Sequence, residues 1–226
     1  MTGLAGPEAP RISLLGSTAM LLEAPGPLNL EQQRRIWALA SQTQTWVQVQ
    51  EAVPGMNNLL LVFNSPPDDL APMEKALQQA WNDTGTLPHQ RLGGRTIELP
   101  VVYGGEAGPH FGDVMAHTGL SADDIVRIHT EPLYVVYALG SHPGYCYLGG
   151  MDPRIATPRR KVPVVNLPGG SVSIGGIQTG VSASDGPSGW STIGRTDMCF
   201  FDPQRDPPAL LSPGDNVRFT VERIDR

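Results

Sequence analysis

The first 94 residues alternate between strand-like and helix-like patterns of apolar and polar residues. The stretch 11–24 predicts two short strands around a Gly-Ser turn, and 45–53 alternates apolar and polar residues as a half-buried strand does. The stretch 58–64, NLLLVFN, is more continuously apolar and predicts a more buried strand. About four strands interleaved with two helices are typical of a small α+β sandwich, which we expect to be ferredoxin-like.

Two helices are predicted in this half. The first covers 29–41, with Asn29 as its N-cap and Gln32 in the capping-box position. In the second, five apolar residues recur at helical spacing and predict one buried face, made of Met73, Ala76, Leu77, Ala80 and Trp81. We interpret both apolar faces as core.

The polar stretch 82–96 contains Gly and Pro and is predicted to join two domains, 1–94 and 95–226. Beyond it the pattern predicts a strand at 97–105 and two short helices near 110–119 and 121–130, the second with Ser121 as N-cap and Asp124 at N3. Further strands are predicted at 132–139, 162–167, 171–176, 178–183, 191–196, 198–202 and 216–224. Many short strands between turns are typical of a closed or nearly closed β-barrel.

Composition and charge narrow the possible partners. The chain has 226 residues, 40% hydrophobic and 17% charged, which is typical of an ordinary globular protein. A net charge of −6 argues against nucleic acid as the main partner. The sequence carries neither a signal-peptide pattern nor an apolar run long enough to cross a bilayer, and Cys146 and Cys199 form no metal-binding spacing. We therefore expect a cytoplasmic protein with two reduced thiols and no membrane partner.

The stretch from Gly140 to Thr196 differs in charge from the rest of the chain. It holds five basic residues and two acidic ones, together with twelve of the 26 glycines. A basic island in an acidic protein is typical of a site for a carboxylate or a phosphate, and glycine lets backbone N–H groups approach such a ligand. Barrels also need glycine at bends, and Arg159-Arg160-Lys161 is equally compatible with a solvated turn. Composition thus indicates where a ligand site would lie and does not indicate which reaction occurs there.

The common catalytic motifs are missing. The sequence has no phosphate-binding loop of the G-x-x-x-x-G-K-[ST] type, no G-x-G-x-x-G after a strand and no paired histidines of the zincin type, so we predict no metal site. His117 and His129 are interpreted as structural, and only His142 lies in the glycine-rich stretch. Ser141, His142 and Asp152 have the residue types of a catalytic triad, but residues so close in sequence seldom reach its geometry.

A long ordered motif carries a resemblance to a known family. Residues 136–196, VYALGSHPGYCYLGGMDPRIATPRRKVPVVNLPGGSVSIGGIQTGVSASDGPSGWSTIGRT, closely resemble the signature of the allophanate hydrolase subunit 1 family. That family includes the B-type subunit of 5-oxoprolinase and the Kip-type inhibitor of a sporulation histidine kinase. The resemblance extends upstream through 117–140, downstream through 210–219 and, more loosely, over the amino-terminal half. It therefore covers nearly the whole chain.

The resemblance implies a fold and a function. The fold would be an α+β protein with a ferredoxin-like amino-terminal domain and a carboxy-terminal cyclophilin-like β-barrel. The function would be that of the B-type subunit of a 5-oxoprolinase, which opens 5-oxo-L-proline to L-glutamate at the expense of ATP together with a C-type subunit homologue (allophanate hydrolase subunit 2 type) and a third subunit. Two alternatives stay open, namely half of a biotin-dependent carboxyltransferase for urea-like substrates and a regulatory protein that inhibits a sensor histidine kinase. The chain contains no biotin-attachment sequence, so any biotin would come from another chain.

The resemblance also implies site residues. Because phosphorylation of a lactam oxygen needs cations and hydrogen-bond donors, the catalytic candidates are Arg159, Arg195 and Gln178. The substrate-binding candidates are His142, Pro143, Gly144, Tyr145, Arg154, Thr179, Gly180 and Trp190. We expect the Gly140–Thr196 segment to line one cleft that holds the three arginines. The chain departs from the family pattern at Ser141 and Tyr145, where the pattern has phenylalanine, and at Pro163-Val164, where it has an arginine.

Overall fold

The computed structural model of the protein describes residues 9–85 and 94–225. The chain is α+β and divides near residue 91 into two compact units. The predicted junction, 82–96, lies largely outside the described residues. Along the part that the structure describes, no helix is long and apolar enough to cross a membrane.

The amino-terminal unit combines a four-stranded antiparallel sheet with two helices. Its strands and helices are β1 (Arg11–Leu15), β2 (Ala19–Glu23), α1 (Leu30–Thr43), β3 (Val49–Pro54), β4 (Asn58–Phe63) and α2 (Ala71–Thr84). The sheet order is β1-β2-β4-β3, so β2 and β3 are parallel on either side of β4 and α1 connects them as a split β-α-β unit. One cluster of buried residues, including Leu22, Ile36, Leu61 and Leu77, joins the sheet to both helices.

The helices of this unit follow the local rules read from the sequence. The Asn29 side chain accepts a hydrogen bond from the Gln32 N–H at 2.9 Å, as an N-cap does. The Gln32 side chain donates to the Pro25 carbonyl, so the capping box is not reciprocal. In α2 the predicted face is buried except for Ala76, which is exposed because it lies at the margin of a narrower stripe made of Met73, Leu77, Ala80, Trp81 and Thr84.

The carboxy-terminal unit is a nearly closed barrel. Its elements are β5 (Thr96–Gly104), α3 (Phe111–Thr118), α4 (Ala122–Thr130), β6 (Tyr134–Leu139), β7 (Cys146–Gly149), β8 (Val164–Leu167), β9 (Ser171–Gly175), β10 (Gln178–Val181), β11 (Gly186–Ser188), β12 (Ser191–Arg195) and β13 (Asn216–Asp225). Seven strands form one mixed sheet in the order β10-β9-β12-β5-β13-β6-β7, in which only the β5–β13 pair is parallel. The end strands β7 and β10 lie against each other, and β8 pairs with β11 in a separate ribbon. The predicted nearly closed barrel is confirmed.

Three details of the barrel differ from the prediction. The expected strand at 198–202 is wrong, because Phe201 makes only an isolated bridge to Ala209 within a proline-rich segment that offers few N–H donors. The strands β7 and β11 were not predicted. They have four and three residues, and their glycine- and proline-containing sequences carry no strand pattern of their own.

Side chains alternate across the strands β9, β10 and β12. Val172, Ile174, Val181 and Ile193 belong to the buried barrel core. The residues that alternate with them are small or polar and face the outside of the barrel: Ser171, Ser173, Gly175, Gly180 and Thr192. Two cavities lie over this outer face.

Candidate functional site

A cavity of about 510 Å³ lies over the outer face of β9 and β10. We call it the Arg159 cavity. Its lining consists of Ser141, His142, Tyr145, Tyr147, Arg159, Ser173, Gly180, Ser182 and the run from Ser184 to Trp190. Aromatic rings, hydroxyl groups, one guanidinium and the carboxylate of Asp185, which accepts from the Gly169 N–H, therefore share a space large enough for a small molecule.

Three aromatic rings of the wall contact one another in a row. The Tyr145 ring lies 5.1 Å from the His142 ring and 5.1 Å from the Tyr147 ring, the latter in an edge-on arrangement. On the other side, the Arg159 Cζ lies 5.8 Å from the centroid of the Trp190 ring. Arg159 is exposed and makes no ion pair with any residue in 9–85 or 94–225. Its charge is therefore available to an anionic ligand.

Two glycines make room for Trp190. A Cβ atom on Gly175 would collide with the Trp190 ring. A Cβ atom on Gly180 would lie 3.1 Å from the Tyr145 hydroxyl oxygen and 3.4 Å from Trp190 Cζ3. Because glycine has no Cβ atom, these two positions let the indole lie on the sheet, and Gly180 also leaves room for the Tyr145 hydroxyl over β10.

The loop that carries His142 and Tyr145 is tightly folded. The Tyr145 N–H donates to the His142 carbonyl at 3.1 Å, and the Gly140 N–H donates to the Tyr145 carbonyl at 3.2 Å. Ser141 has a φ of 66°, a left-handed conformation that is uncommon for a residue other than glycine. His142 Nε2 is buried and finds no hydrogen-bond partner within the described ranges. Local strain and an unpaired ring nitrogen at a cavity are typical of a binding site.

Arg159 lies on a segment that is fixed on both sides. Before it, Thr157 and Gly176 exchange two backbone hydrogen bonds of 3.1 and 2.7 Å. After it, the Arg160 N–H donates to the Gly189 carbonyl at 2.7 Å, and Arg160 Nη1 donates to Asp113 Oδ2 on α3 at 2.6 Å. The backbone of Arg159 is thereby held at the edge of the cavity while its side chain stays free.

Thr179 was predicted to bind substrate, and the structure corrects this prediction. Its side chain is buried and points into the barrel, because Thr179 alternates with the outward-facing Gly180. The Thr179 hydroxyl donates to the Ser173 carbonyl at 3.2 Å and accepts from Nε2 of His129 at 2.8 Å. The other ring nitrogen, Nδ1, accepts from the Tyr103 hydroxyl at 2.8 Å.

His129 is structural, as interpreted from the sequence. Its side chain is fully buried, and burial lowers the pKa of its imidazole to about 3. The ring is therefore neutral at physiological pH. It joins β5 to β10 through Tyr103 and Thr179 and so fixes the strand that carries Gly180.

The three predicted arginines do not share one cleft. Arg154 is exposed, lines no cavity described here and pairs with Asp152, with 2.7 Å between Nη2 and Oδ2. Trp190 directly precedes β12, and Arg195 is the last residue of that strand. Because five strand residues span about 16 Å, that length of strand separates Arg195 from Trp190. Arg195 instead lines a second cavity of about 670 Å³, together with Arg223 and the carboxylates of Glu106, Asp197, Glu222 and Asp225.

Three more candidates lie outside the Arg159 cavity lining. Gln178 is partly buried at the start of β10, where it pairs with Gly175. Pro143 is exposed, and Gly144 is buried against Phe200 and Phe201. The structure thus brings together five of the predicted residues: His142, Tyr145, Arg159, Gly180 and Trp190.

The prediction missed most of the polar lining. Ser173, Ser182, Ser184, Ser188, Asp185 and Tyr147 were not singled out. One signal was present in the sequence, since Ser171 and Ser173 recur with the period of a strand and mark a polar outer face. Among residues 9–85 and 94–225 no cluster of three His, Cys, Asp or Glu side chains is arranged to hold a metal ion.

The arrangement can bind a small anion that has an apolar body and hydrogen-bonding groups. Arg159 supplies the positive charge, Trp190 and the tyrosines supply flat walls, and serine and tyrosine hydroxyls supply donors and acceptors. Burial raises the pKa of Tyr145 well above its ordinary value, so its phenol is a neutral donor.

Comparisons with known proteins agree on one family. The family model "Carboxyltransferase domain, subdomain C and D" matches residues 10–211. The 5-oxoprolinase B-type subunit of Escherichia coli O157:H7 is 44% identical over 213 residues, which cover 94% of this chain and 96% of that protein. The 5-oxoprolinase B-type subunit of Bacillus subtilis (strain 168) is 35% identical over 219 residues, which cover 92% of this chain and 91% of that protein.

A solved structure extends the likeness in fold. The crystal structure of the Kluyveromyces lactis urea carboxylase matches with a TM-score of 0.76 and 18% sequence identity. The match covers 98% of this chain and 22% of that one. At this identity the likeness concerns the fold alone.

Proposed function

Because the chain belongs to the family of 5-oxoprolinase B-type subunits, we propose that it is a non-autonomous part of a complex that opens 5-oxo-L-proline to L-glutamate with ATP as co-substrate. We further propose that the complex is cytoplasmic. The fold that goes with this proposal is a cyclophilin-like barrel preceded by a ferredoxin-like sandwich. In that sandwich β1 lies at the sheet edge that the fourth strand occupies in a ferredoxin-like fold.

The observation that carries the proposal is the free guanidinium of Arg159 beside Trp190. 5-Oxo-L-proline is a small flat ring with one carboxylate and one lactam group. A carboxylate needs a cation, which Arg159 offers, and the ring needs an apolar wall, which Trp190 offers. The hydroxyl groups along the cavity suit the N–H and C=O of a lactam.

A lactam carbonyl is a poor electrophile, and ATP removes this barrier. In the proposed reaction the lactam oxygen takes the γ-phosphoryl group and ADP leaves. Water attacks the activated ring carbon, the ring C–N bond breaks with the nitrogen taking up protons, and a second water hydrolyses the resulting γ-glutamyl phosphate to L-glutamate and inorganic phosphate. Arg159 holds the substrate carboxylate and adds positive charge near the developing phosphoryl charge. Arg195 and Gln178 lie outside the Arg159 cavity and receive no role in this scheme.

The rest of the active site would come from other chains. The sequence contains no nucleotide-binding motif of the common types. We propose that a C-type subunit homologue covers the Arg159 cavity and that the reaction is completed by a third subunit, so this chain alone is inactive. Contact with a partner would also strengthen the effect of the Arg159 charge by excluding water.

Reconstitution tests the proposal. The chain would be combined with its C-type subunit homologue and the third subunit, and ADP and glutamate would be measured with 5-oxo-L-proline, urea and other small amides. We expect both products to form with 5-oxo-L-proline and with the full complex only. Absence of glutamate would contradict the proposed reaction, and equal rates for the chain alone would contradict the shared site.

A second candidate is half of a biotin-dependent carboxyltransferase for urea-like substrates. The name of the matching family model favours it. The same preparation distinguishes the two, because a carboxyltransferase would carboxylate urea from a carboxybiotinylated partner and would release no glutamate from 5-oxo-L-proline.

A further inference from the structure

The hydroxyl group of Tyr145 is a polar group of the Arg159 cavity to which the described residues offer no hydrogen bond. The Tyr145 ring is partly buried and is held between His142 and Tyr147. Its hydroxyl has no hydrogen-bond partner among the described residues, yet it lines the cavity. Two nearby hydroxyls are already engaged, since Ser173 Oγ lies 3.1 Å from Thr192 Oγ1 and Ser188 Oγ accepts from the Trp190 N–H at 3.2 Å. A polar group placed in a recess without a partner is available to a ligand.

The position of this hydroxyl relative to Arg159 defines a short span. A Cβ atom on Gly180 would be close to both the Tyr145 oxygen, at 3.1 Å, and Trp190 Cζ3, at 3.4 Å. The Trp190 ring in turn lies 5.8 Å from Arg159 Cζ. Tyr145 and Arg159 therefore flank the same indole, and the charge of Arg159 acts on the Tyr145 phenol. One small ring lying on Trp190 can reach both groups.

The two groups differ in what they recognise. The guanidinium of Arg159 prefers a carboxylate, with which it forms charge-assisted hydrogen bonds. A neutral phenol is a single O–H donor that suits a carbonyl oxygen. In 5-oxo-L-proline the carboxylate-bearing carbon and the carbonyl carbon are both bonded to the ring nitrogen, so the two acceptors lie on either side of that nitrogen, at the same end of the ring.

We propose that the Tyr145 hydroxyl donates a hydrogen bond to the ring carbonyl oxygen of the substrate and thereby selects cyclic amides over rings without that oxygen. This inference rests on the proposed function and adds a residue that determines specificity. The family pattern has phenylalanine at this position, so the hydroxyl is a feature by which this chain departs from that pattern. Tyr145 contributes to binding and selectivity, and the bond-breaking steps proceed without it.

The test is a comparison of Tyr145→Phe with the wild type in the reconstituted complex. Loss of one hydrogen bond to the carbonyl oxygen is expected to raise KM for 5-oxo-L-proline about tenfold and to leave kcat unchanged. The probe is tetrahydrofuran-2-carboxylate, tested as a competitive inhibitor. It keeps a five-membered ring and the carboxylate, has an ether oxygen in place of the ring N–H, and lacks the carbonyl. Its inhibition constant should be the same for both proteins. The thermal unfolding temperature should also be the same, because the hydroxyl has no partner in the described residues.

A second pair of variants examines the geometry. Gly180→Ala brings a methyl group against the Tyr145 hydroxyl, so it should raise KM more in the wild-type background than in the Tyr145→Phe background.

Two outcomes would count against these proposals. If Tyr145→Phe weakened the binding of 5-oxo-L-proline and of the carbonyl-free probe equally, the inference would be overturned and the proposed function would stand. A wild-type complex without turnover would overturn the proposed function and this inference with it.

Discussion

Acid should destabilise the carboxy-terminal unit through one buried residue, His129. The imidazole is fully buried and faces the Tyr103 hydroxyl, the Thr179 hydroxyl and the Phe219 ring at 4.4 Å, none of which is charged at neutral pH. Burial lowers the imidazole pKa from 6.5 to about 3. The unfolded chain takes up a proton near pH 6.5 and the folded chain only near pH 3, so the unfolded state is favoured progressively as the pH falls between these values.

The size of the effect follows from the two pKa values. Each unit of pKa difference corresponds to about 1.4 kcal/mol. Lowering the pH from about 7.5 to about 5 should therefore reduce the free energy of unfolding by about 2 kcal/mol through His129 alone. The full difference, about 5 kcal/mol, would be reached only near pH 3.

Urea denaturation at about pH 7.5 and about pH 5 measures this contribution. The control is His129→Gln, which does not titrate and can still donate to Thr179 and accept from Tyr103. Carboxylates are common to both proteins, so their effect cancels in the difference. The wild type should lose about 2 kcal/mol more than the variant on acidification. Equal losses in the two proteins would refute the neutral, buried imidazole.

Two further predictions concern packing and position. Trp81 lies in the core that joins α2 to the sheet and is 2% exposed. Trp81→Ala should therefore lower the free energy of unfolding by about 3–5 kcal/mol. An unchanged urea midpoint would contradict this packing. Asp113→Asn should release Arg160 and raise KM for 5-oxo-L-proline about fivefold at unchanged kcat, because Arg159 loses its fixed neighbour. The double variant Asp113→Arg/Arg160→Asp rebuilds the ion pair in reverse and should lower KM again. A KM that changes neither with Asp113→Asn nor with the double variant would show that the ion pair does not position Arg159.

Local chemistry made part of the fold predictable from the sequence. The N-caps Asn29 and Ser121 each accept from the N–H three residues on, Gln32 and Asp124, and such contacts depend on neighbours in the chain alone. The barrel followed from the number and spacing of short strands. Strands β7 and β11 could not be predicted, since their residues become strands only because partners from distant parts of the chain pair with them.

The candidate site was predictable as a segment and only partly as a set of residues. Arg159 and Arg195 both belong to the basic segment, but a whole strand separates Trp190 from Arg195, and that distance appears only when β12 is extended. Alternation along β10 already implied that Thr179 and Gly180 face opposite sides, so both could not line one cavity.

The role of Arg159 is the central claim, and one substitution tests it directly. The variant Arg159→Ala would be assembled with the C-type subunit homologue and the third subunit, and kcat/KM for 5-oxo-L-proline would be measured beside the wild type. Lys161→Ala is the matched control, because it removes a positive charge from the same exposed segment and lines neither cavity. Size-exclusion chromatography would establish that all three complexes assemble.

We expect Arg159→Ala to lower kcat/KM at least about 100-fold, since a charge-assisted contact to the substrate is lost under the proposed partner subunit, while Lys161→Ala stays near the wild-type value. An Arg159→Ala complex that assembles and retains full activity would contradict the assignment of this cavity as the substrate site.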